Sequence, residues 1–478
     1  MAESELYRFT KKKYLLSIIF VAVICSYGEV YAINFVPRVV VSETYNDNVN
    51  LAPGNIAEED YITQLNPGLN ISSEGSRSQT QFDYRMQNIY YQNNSENDDT
   101  YHQATLNSKN ELLNNRFFLD LNGSFSQKNL GTSDSISFDN LGVDERNRSN
   151  VTSYRITPYY MQKLGKFANL RLYNSDKVID YEKNTSTVLD SNARESRLDV
   201  SNGDLFHKLQ WRVSASRETT EYEGQTKETM FEDANLDVRY KVGPKTRVVI
   251  VRGYENNEYP TLLATDTKGA YWNAGITWSP TKRTHFEVLR GDRYFGNTNS
   301  LSFSHEKTNM YLNLSYKEDL STASKYEFEL IDAGGGNLAL IPVATSEAFL
   351  SKSLQFKIDM KSRRSTLAFN VFRFIREYQD SDDTEQNRGA SLQLRWKFAD
   401  KTHLVLSEKW LYNTFRTSTR QDNVYDSKIG VEYQLDRNSF VEVTYGYLRR
   451  KSEHNQVSDP FDHNYERNIL GANARFYF

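Results

Sequence analysis

From residue 33 onward, apolar and polar positions alternate along the chain with a period of two. In "DSKIGVEYQL", Ile429, Val431, Tyr433 and Leu435 share one side of an extended chain, and Asp426, Lys428, Glu432 and Gln434 share the other. "SLQLRWKF" sets Leu392, Leu394, Trp396 and Phe398 against Arg395 and Lys397. "ANLDVRYKV" sets Leu236, Val238, Tyr240 and Val242 against Asp237, Arg239 and Lys241. "SLQFKIDM" sets Leu354, Phe356, Ile358 and Met360 against Lys357 and Asp359. Each pattern predicts a strand with one apolar and one wet face. No long helical periodicity interrupts the series.

The spacing of these segments predicts 22 strands, within a range of 18–22, from one near 37–47 to one at 464–478. On this reading 205–217, 301–316 and 325–332 are single strands. Short turns such as "GPK" (243–245), "ADK" (399–401) and "DRN" (436–438) alternate with long loops at 46–60, 127–149, 333–345, 380–387 and 453–463. An outer-membrane barrel has this asymmetry, with short turns facing the periplasm and long loops outside. The predicted fold is all-β: a transmembrane antiparallel up-and-down β-barrel. In hydrocarbon only a closed sheet pairs every strand backbone group. A mid-bilayer charge on the lipid face costs about 2–4 kcal/mol, so the charged face must line the lumen. The predicted pore-lining residues are Lys208, Arg212, Asp237, Arg239, Lys241, Lys357, Asp359, Arg395, Lys397, Asp426, Lys428, Glu432 and Glu442. Trp272, Trp278, Trp410, Tyr412, Tyr445 and Tyr447 suit the interfacial girdles. His207 and Glu408 fit poorly, because this register puts both on apolar faces.

Composition narrows the alternatives. A quarter of the chain is charged, which excludes a bundle of apolar helices. The 32 Tyr and 26 Phe argue against disorder. The formal net charge of −4 over 478 residues gives no footing for nucleic acid. Residues 1–32 differ in texture. Basic "RFTKKK", the apolar run "YLLSIIFVAVICSYG" and "VYA" before Ile33 have the three-part layout of a signal peptide. The single cysteine, Cys25, lies there behind Ile24, an unsuitable neighbour for a lipoprotein cysteine. Residues 33–478 then form the barrel domain, without disulfides. Strand one starts so near the expected cut that no N-terminal plug is expected, and loop 127–149 is the segment expected to fold inward.

Several stretches also carry a family resemblance. They are "VVVSETYNDNVNLAPG" (39–54), "YITQLNPGLNISSEG" (61–75), "FDYRMQNIYYQ" (82–92), "FFLDLNGSFSQKN" (117–129) and "YRITPYY" (154–160). Here the chain resembles the outer-membrane β-barrel proteins associated with the PEP-CTERM/exosortase system, relatives of the type-2 β-barrel porins. The resemblance implies the outer membrane of a Gram-negative bacterium and a link to exopolysaccharide and protein-sorting systems. It supplies no catalytic residues. It also implies that assembly machinery reads the terminal strand through Phe476 and Phe478, which alternation places on the lipid side, opposite Arg475 and Tyr477.

No constellation points to chemistry. The seven histidines lack metal-ligand spacing, and "AGGGN" (333–337) lacks the Lys-Ser/Thr ending of a phosphate loop. His305 with Glu306, and His463 with Asp462, are adjacent, but neighbours on a strand point to opposite faces. The acidic stretches 93–100 and 380–387 could offer oxygens to Ca²⁺ but read better as solvated loop tips. No cofactor and no enzymatic activity are expected. The expected function is a porin-like passive channel for hydrophilic solutes. Its rivals are a structural or docking barrel without an open channel and, behind that, an outer-membrane hydrolase. Expected partners are outer-membrane lipid, the assembly machinery, and exopolysaccharide or its export system.

Overall fold

The structure, a computed structural model, describes residues 33–131, 136, 138–142, 147–183, 189–261, 267–332, 345–381, 383–416, 420–453 and 463–478. Residues 1–32, "AGGGN", His454 and Asp462 lie outside the described residues.

Alternation along the chain becomes 22 strands among the described residues. They are β1 (Ile33–Asn46), β2 (Asp60–Glu74), β3 (Ser78–Tyr91), β4 (Asp99–Leu113), β5 (Phe117–Asn129), β6 (Arg148–Leu164), β7 (Ala168–Tyr181) and β8 (Ser191–Asn202). Next come β9 (Leu209–Tyr222), β10 (Thr229–Lys241), β11 (Thr246–Glu258), β12 (Lys268–Thr281), β13 (Thr284–Arg293), β14 (Gly296–Lys307) and β15 (Met310–Ser321). A helix, α1 (Ala323–Asp332), precedes β16 (Phe349–Lys361), β17 (Ser365–Tyr378), β18 (Thr384–Ala399) and β19 (Thr402–Thr414). The last are β20 (Gln421–Gln434), β21 (Ser439–Glu453) and β22 (Tyr465–Tyr477). Each strand pairs antiparallel with the next, as β20 does with β21 and β21 with β22. β22 closes on β1, from Arg38 opposite Tyr477 to Asn46 opposite Ile469. No strand edge is left open, which is the condition for a sheet in lipid.

The expected count of 22 is met through two compensating differences. The stretch read as one strand at 301–316 is two, β14 and β15, joined at 308–309. The stretch read as a strand at 325–332 belongs to α1. A third difference removes a misfit: the strand read at 205–217 begins at Leu209, so His207 and Lys208 sit exposed in the turn 203–208. Glu408 does stand on the outer face, opposite Ser427, whose hydroxyl donates to Glu408 Oε2 at 2.6 Å.

The two faces separate as the alternation requires. On β20 the outward Tyr425, Ile429, Val431 and Tyr433 are 42–47% exposed, while the inward Asp426 and Glu432 are 1% and 4% exposed. Exposed apolar groups such as Leu236, Ile250, Ile276, Leu354, Met360 and Leu470 continue this band around the outside. Trp278 stands near its turn end and Trp272 near its loop end, both outward and exposed, as girdle residues do. Phe478 is 71% exposed, with its N–H bonded to Pro37 O at 2.9 Å, and Arg475 turns inward to Glu432 and Glu442.

The barrel lumen as candidate functional site

Long connections lie at one end of the barrel, and one of them enters the lumen. Between β5 and β6 the chain leaves the wall through a pinned neck. Leu130 N donates to Asn147 O at 2.8 Å, Gly131 N to Asn147 Oδ1 at 2.9 Å, and Asn147 Nδ2 back to Gly131 O at 3.0 Å. The described tip, Ile136 and 138–142, then reaches across to β1–β3 and β20–β22. The Tyr465 hydroxyl accepts from Ile136 N at 3.1 Å and donates to Ile136 O at 2.8 Å. Asp139 receives Arg467 at 2.9 and 3.1 Å and Lys428 at 3.4 Å. Asn140 Nδ2 donates to Gln87 Oε1 at 2.9 Å, and Leu141 packs with Val49, Ile62, Ile89 and Tyr91. The inward fold expected of loop 127–149 is therefore present in its described part.

α1 makes a second crossing. Thr322 caps it: Lys325 N donates to Thr322 Oγ1 at 3.2 Å, satisfying one of the first-turn donors. Tyr326 meets the wall at β16 and β17, edge-on to Phe349 and Phe374, with the Arg376 guanidinium 5.0 Å over its ring. Phe328 packs instead on Val151 of β6 and Ile179 of β7. Glu327 pairs with Lys128 at the end of β5, which ties the helix to the root of the inserted loop.

These insertions rest on an apolar patch inside the barrel. Tyr326 and Ile136 join Leu51, Phe349, Phe372, Phe374, Tyr378, Leu411, Val424, Leu448 and Tyr465 in one buried cluster. A wholly wet lumen would not have this patch, and alternation alone does not reveal it. The signal was available in "VFRFIREY" (371–378), where apolar residues occupy both faces. Three fully buried arginines, Arg376, Arg450 and Arg467, are also legible only in the structure. Each is matched: Arg376 to Glu385 at 3.2 Å and Asn387 at 2.7 Å, Arg450 to Asp422, and Arg467 to Asp139. At the mouth, Arg416 grips Glu347 at 2.8 and 2.9 Å and Asp383 at 3.0 Å, linking three loops. The hydrogen bond from Arg416 holds the Asp383 carboxyl below its ordinary range.

Among the described residues two large hollows open into the lumen. One, of about 580 Å³, lies under the inserted loop and is lined by Gln64, Gln87, Gln103, Arg85, Arg475 and Asn140 among others. The other, of about 590 Å³, lies along β6–β15 and is lined by charges that are largely paired. Lys177 meets Glu195 at 3.1 Å, Arg212 meets Asp237 at 3.4 Å, and Arg293 meets Asp319 at 3.0 Å. Arg239 lies 3.1 Å from Asp237 and 2.5 Å from Glu287.

The other predicted lining residues can be placed. Glu432 lies between Arg395 and Arg475, and Arg475 also reaches Glu442 at 2.9 Å. Asp426 meets Lys409 at 3.4 Å, Lys357 meets Asp359 at 3.2 Å, and Lys397 meets Asp400 at 3.3 Å. Lys428 reaches the inserted loop, and Lys241 stands in register with Arg247 at the turn end. Only Lys208 leaves the wall, in its turn. His305 meets Thr284 at 2.9 Å on the outer face, and its neighbour Glu306 faces the other way. Among the described residues no group of three or more His, Asp or Glu is placed to hold a metal ion.

The whole architecture is similar to that of the FrpB iron transporter of Neisseria meningitidis (F5-1 variant). The likeness covers 96% of this chain and 84% of that one, at 9% identity and a TM-score of 0.50. The fold is a closed 22-stranded β-barrel like those of outer-membrane transporters. The chain's C-terminal residues 365–478 match a family model described as "Putative beta-barrel porin 2". Weaker structural likenesses include the siderophore receptor PirA of Pseudomonas aeruginosa (7% identity, 93% of this chain and 80% of that one, TM-score 0.42). A loop-deletion mutant of OmpT, an outer membrane protein of Vibrio cholerae, gives 11% identity, 94% and 99% coverage and a TM-score of 0.33. No curated protein matches the chain in sequence.

Proposed function

We propose that the protein is a porin-like, passive conduit for small hydrophilic solutes, narrowed at its outer mouth by the inserted loop and α1. The observation that carries this reading is the lumen wall itself. Acids and bases are interspersed and largely paired around the hollow at β6–β15, and around the other hollow amides mix with Arg85, Lys428, Arg475, Asp139 and Glu442, so the wall is wet and of mixed sign rather than a single-sign ring of the kind that selects ions. The similarity of 365–478 to a porin family supports the same reading. No step of bond chemistry is assigned to the barrel. Saccharides are the solute class we favour. Amides at Gln64, Gln87 and Gln103 suit hydroxyl groups, and the resemblance to exopolysaccharide-associated barrels agrees. Swelling of liposomes carrying the purified barrel tests the proposal. Small sugars should enter and longer oligosaccharides should be excluded. Exclusion of every sugar would overturn the conduit.

That negative result would favour a structural or docking barrel. One observation supports this second reading: Ile136 and Arg467, which hold the inserted loop, are 0% and 1% exposed, a plug-like degree of packing.

For partners, we propose outer-membrane lipid around the apolar band and assembly machinery at the last strand. Deleting Phe478 should lower the outer-membrane yield of heat-modifiable barrel more than deleting Gly54, an exposed residue of loop 47–59. Equal yields would count against recognition of that aromatic.

A further inference from the structure

Arg373 of β17 and Arg388 of β18 are direct cross-strand partners. Their lumen-facing neighbours are Phe372, Phe374, Asn387 and Gly389, all buried, so both arginines point outward, and both are exposed. Like charges directly opposite each other destabilise a strand pair. Several other bases on this outer face have carboxylate partners. Lys352 has Glu377, Arg449 has Glu466 at 3.1 Å, and Lys451 has Glu453 at 2.7 Å. Arg373 and Arg388 have no carboxylate among the described residues. Arg373 donates to the neutral Gln386 at 3.1 Å, and Arg388 lies 4.1 Å over the Tyr412 ring and 6.0 Å from Trp410.

The position of the pair says what completes it. On the turn side, β17 continues outward with Val371, Phe369 and Leu367, and β18 with Ala390, Leu392 and Leu394. Leu354 of β16 stands directly opposite Arg373. The pair therefore marks the outer edge of the apolar band, on the side of the long loops, with aromatics beside it. We propose that Arg373 and Arg388 together clamp a phosphate of the phosphorylated glycolipid in the outer leaflet, whose acyl chains lie along the apolar stripe below. Two adjacent guanidinium forks can share one phosphate through parallel N–H···O bonds, which lysines could not reproduce. The anion removes the like-charge repulsion that the bare barrel retains.

Native mass spectrometry of the folded barrel in detergent tests this, with diphosphorylated lipid A, its dephosphorylated form and phosphatidylglycerol as probes. The wild type should hold diphosphorylated lipid A, and Arg373→Gln/Arg388→Gln should bind it about tenfold or more weakly, the loss expected for charge-assisted bonds. Arg449→Gln, on the same face but already paired with an acid, should bind as the wild type does. Heat-modifiable migration confirms that each variant is folded. Equal retention by the double variant, equal binding of the dephosphorylated form, or an equal loss in Arg449→Gln would overturn the clamp. Equal binding of phosphatidylglycerol would overturn its assignment to the glycolipid.

Discussion

Asp139→Ala should release the inserted loop and enlarge the open lumen. Asp139 is the anionic partner of Arg467, which is 1% exposed and makes two bonds to it at 2.9 and 3.1 Å. It also faces Lys428 at 3.4 Å. Breaking a buried ion pair from one side costs about 3–5 kcal/mol, because the remaining charge is left in a poor solvent. Inside a barrel that cost has an outlet. If the tip swings out of the lumen, water reaches Arg467 and Lys428. The loss should therefore appear as local opening, with the strands themselves intact. Amide hydrogen exchange at Ile136 and 138–142 should accelerate strongly, while β20–β22 stay protected. Protection of the tip equal to the wild type would show that Asp139 does not hold the loop.

Tyr326→Ala should detach α1 from the wall. The ring is 3% exposed, with its centroid 6.1 Å from Phe349 and 5.4 Å from Phe374, and it underlies Arg376. Truncating a buried aromatic to alanine costs about 3–5 kcal/mol. The isolated helix is too short to persist without packing. Phe328, the Glu327–Lys128 pair and Lys325 over the Phe231 ring would then be among the ties that remain. Limited proteolysis within 323–332 should become fast in the variant and remain slow in the wild type. Equal cleavage rates would place the stability of the helix elsewhere.

The barrel was legible because lipid and water impose opposite demands on successive residues. On β20 that constraint left no other face for Asp426, Lys428 and Glu432. The misread elements have equally physical causes. In α1, Tyr326, Phe328 and Leu330 alternate with Lys325, Glu327 and Glu329, so a short helix imitates a strand. Its cap at Thr322 was the contrary signal. In 301–316, Leu301 and Phe303 are apolar at odd positions, and Met310, Leu312 and Leu314 at even ones. A continuous strand cannot change parity without a bulge, so the switch marks the turn at 308–309. The inserted loop was only partly legible. The length of loop 127–149 announced an insertion, but its landing site is set by contacts between residues hundreds of positions apart, as Ile136 with Tyr465 and Asp139 with Arg467.

We propose that a water-filled path crosses the barrel and is narrowed by the inserted loop. Planar-bilayer recording of the wild type beside Asp139→Ala measures it directly. Small discrete openings are expected from the wild type and larger ones from the variant. No current from either protein at any applied voltage would contradict it.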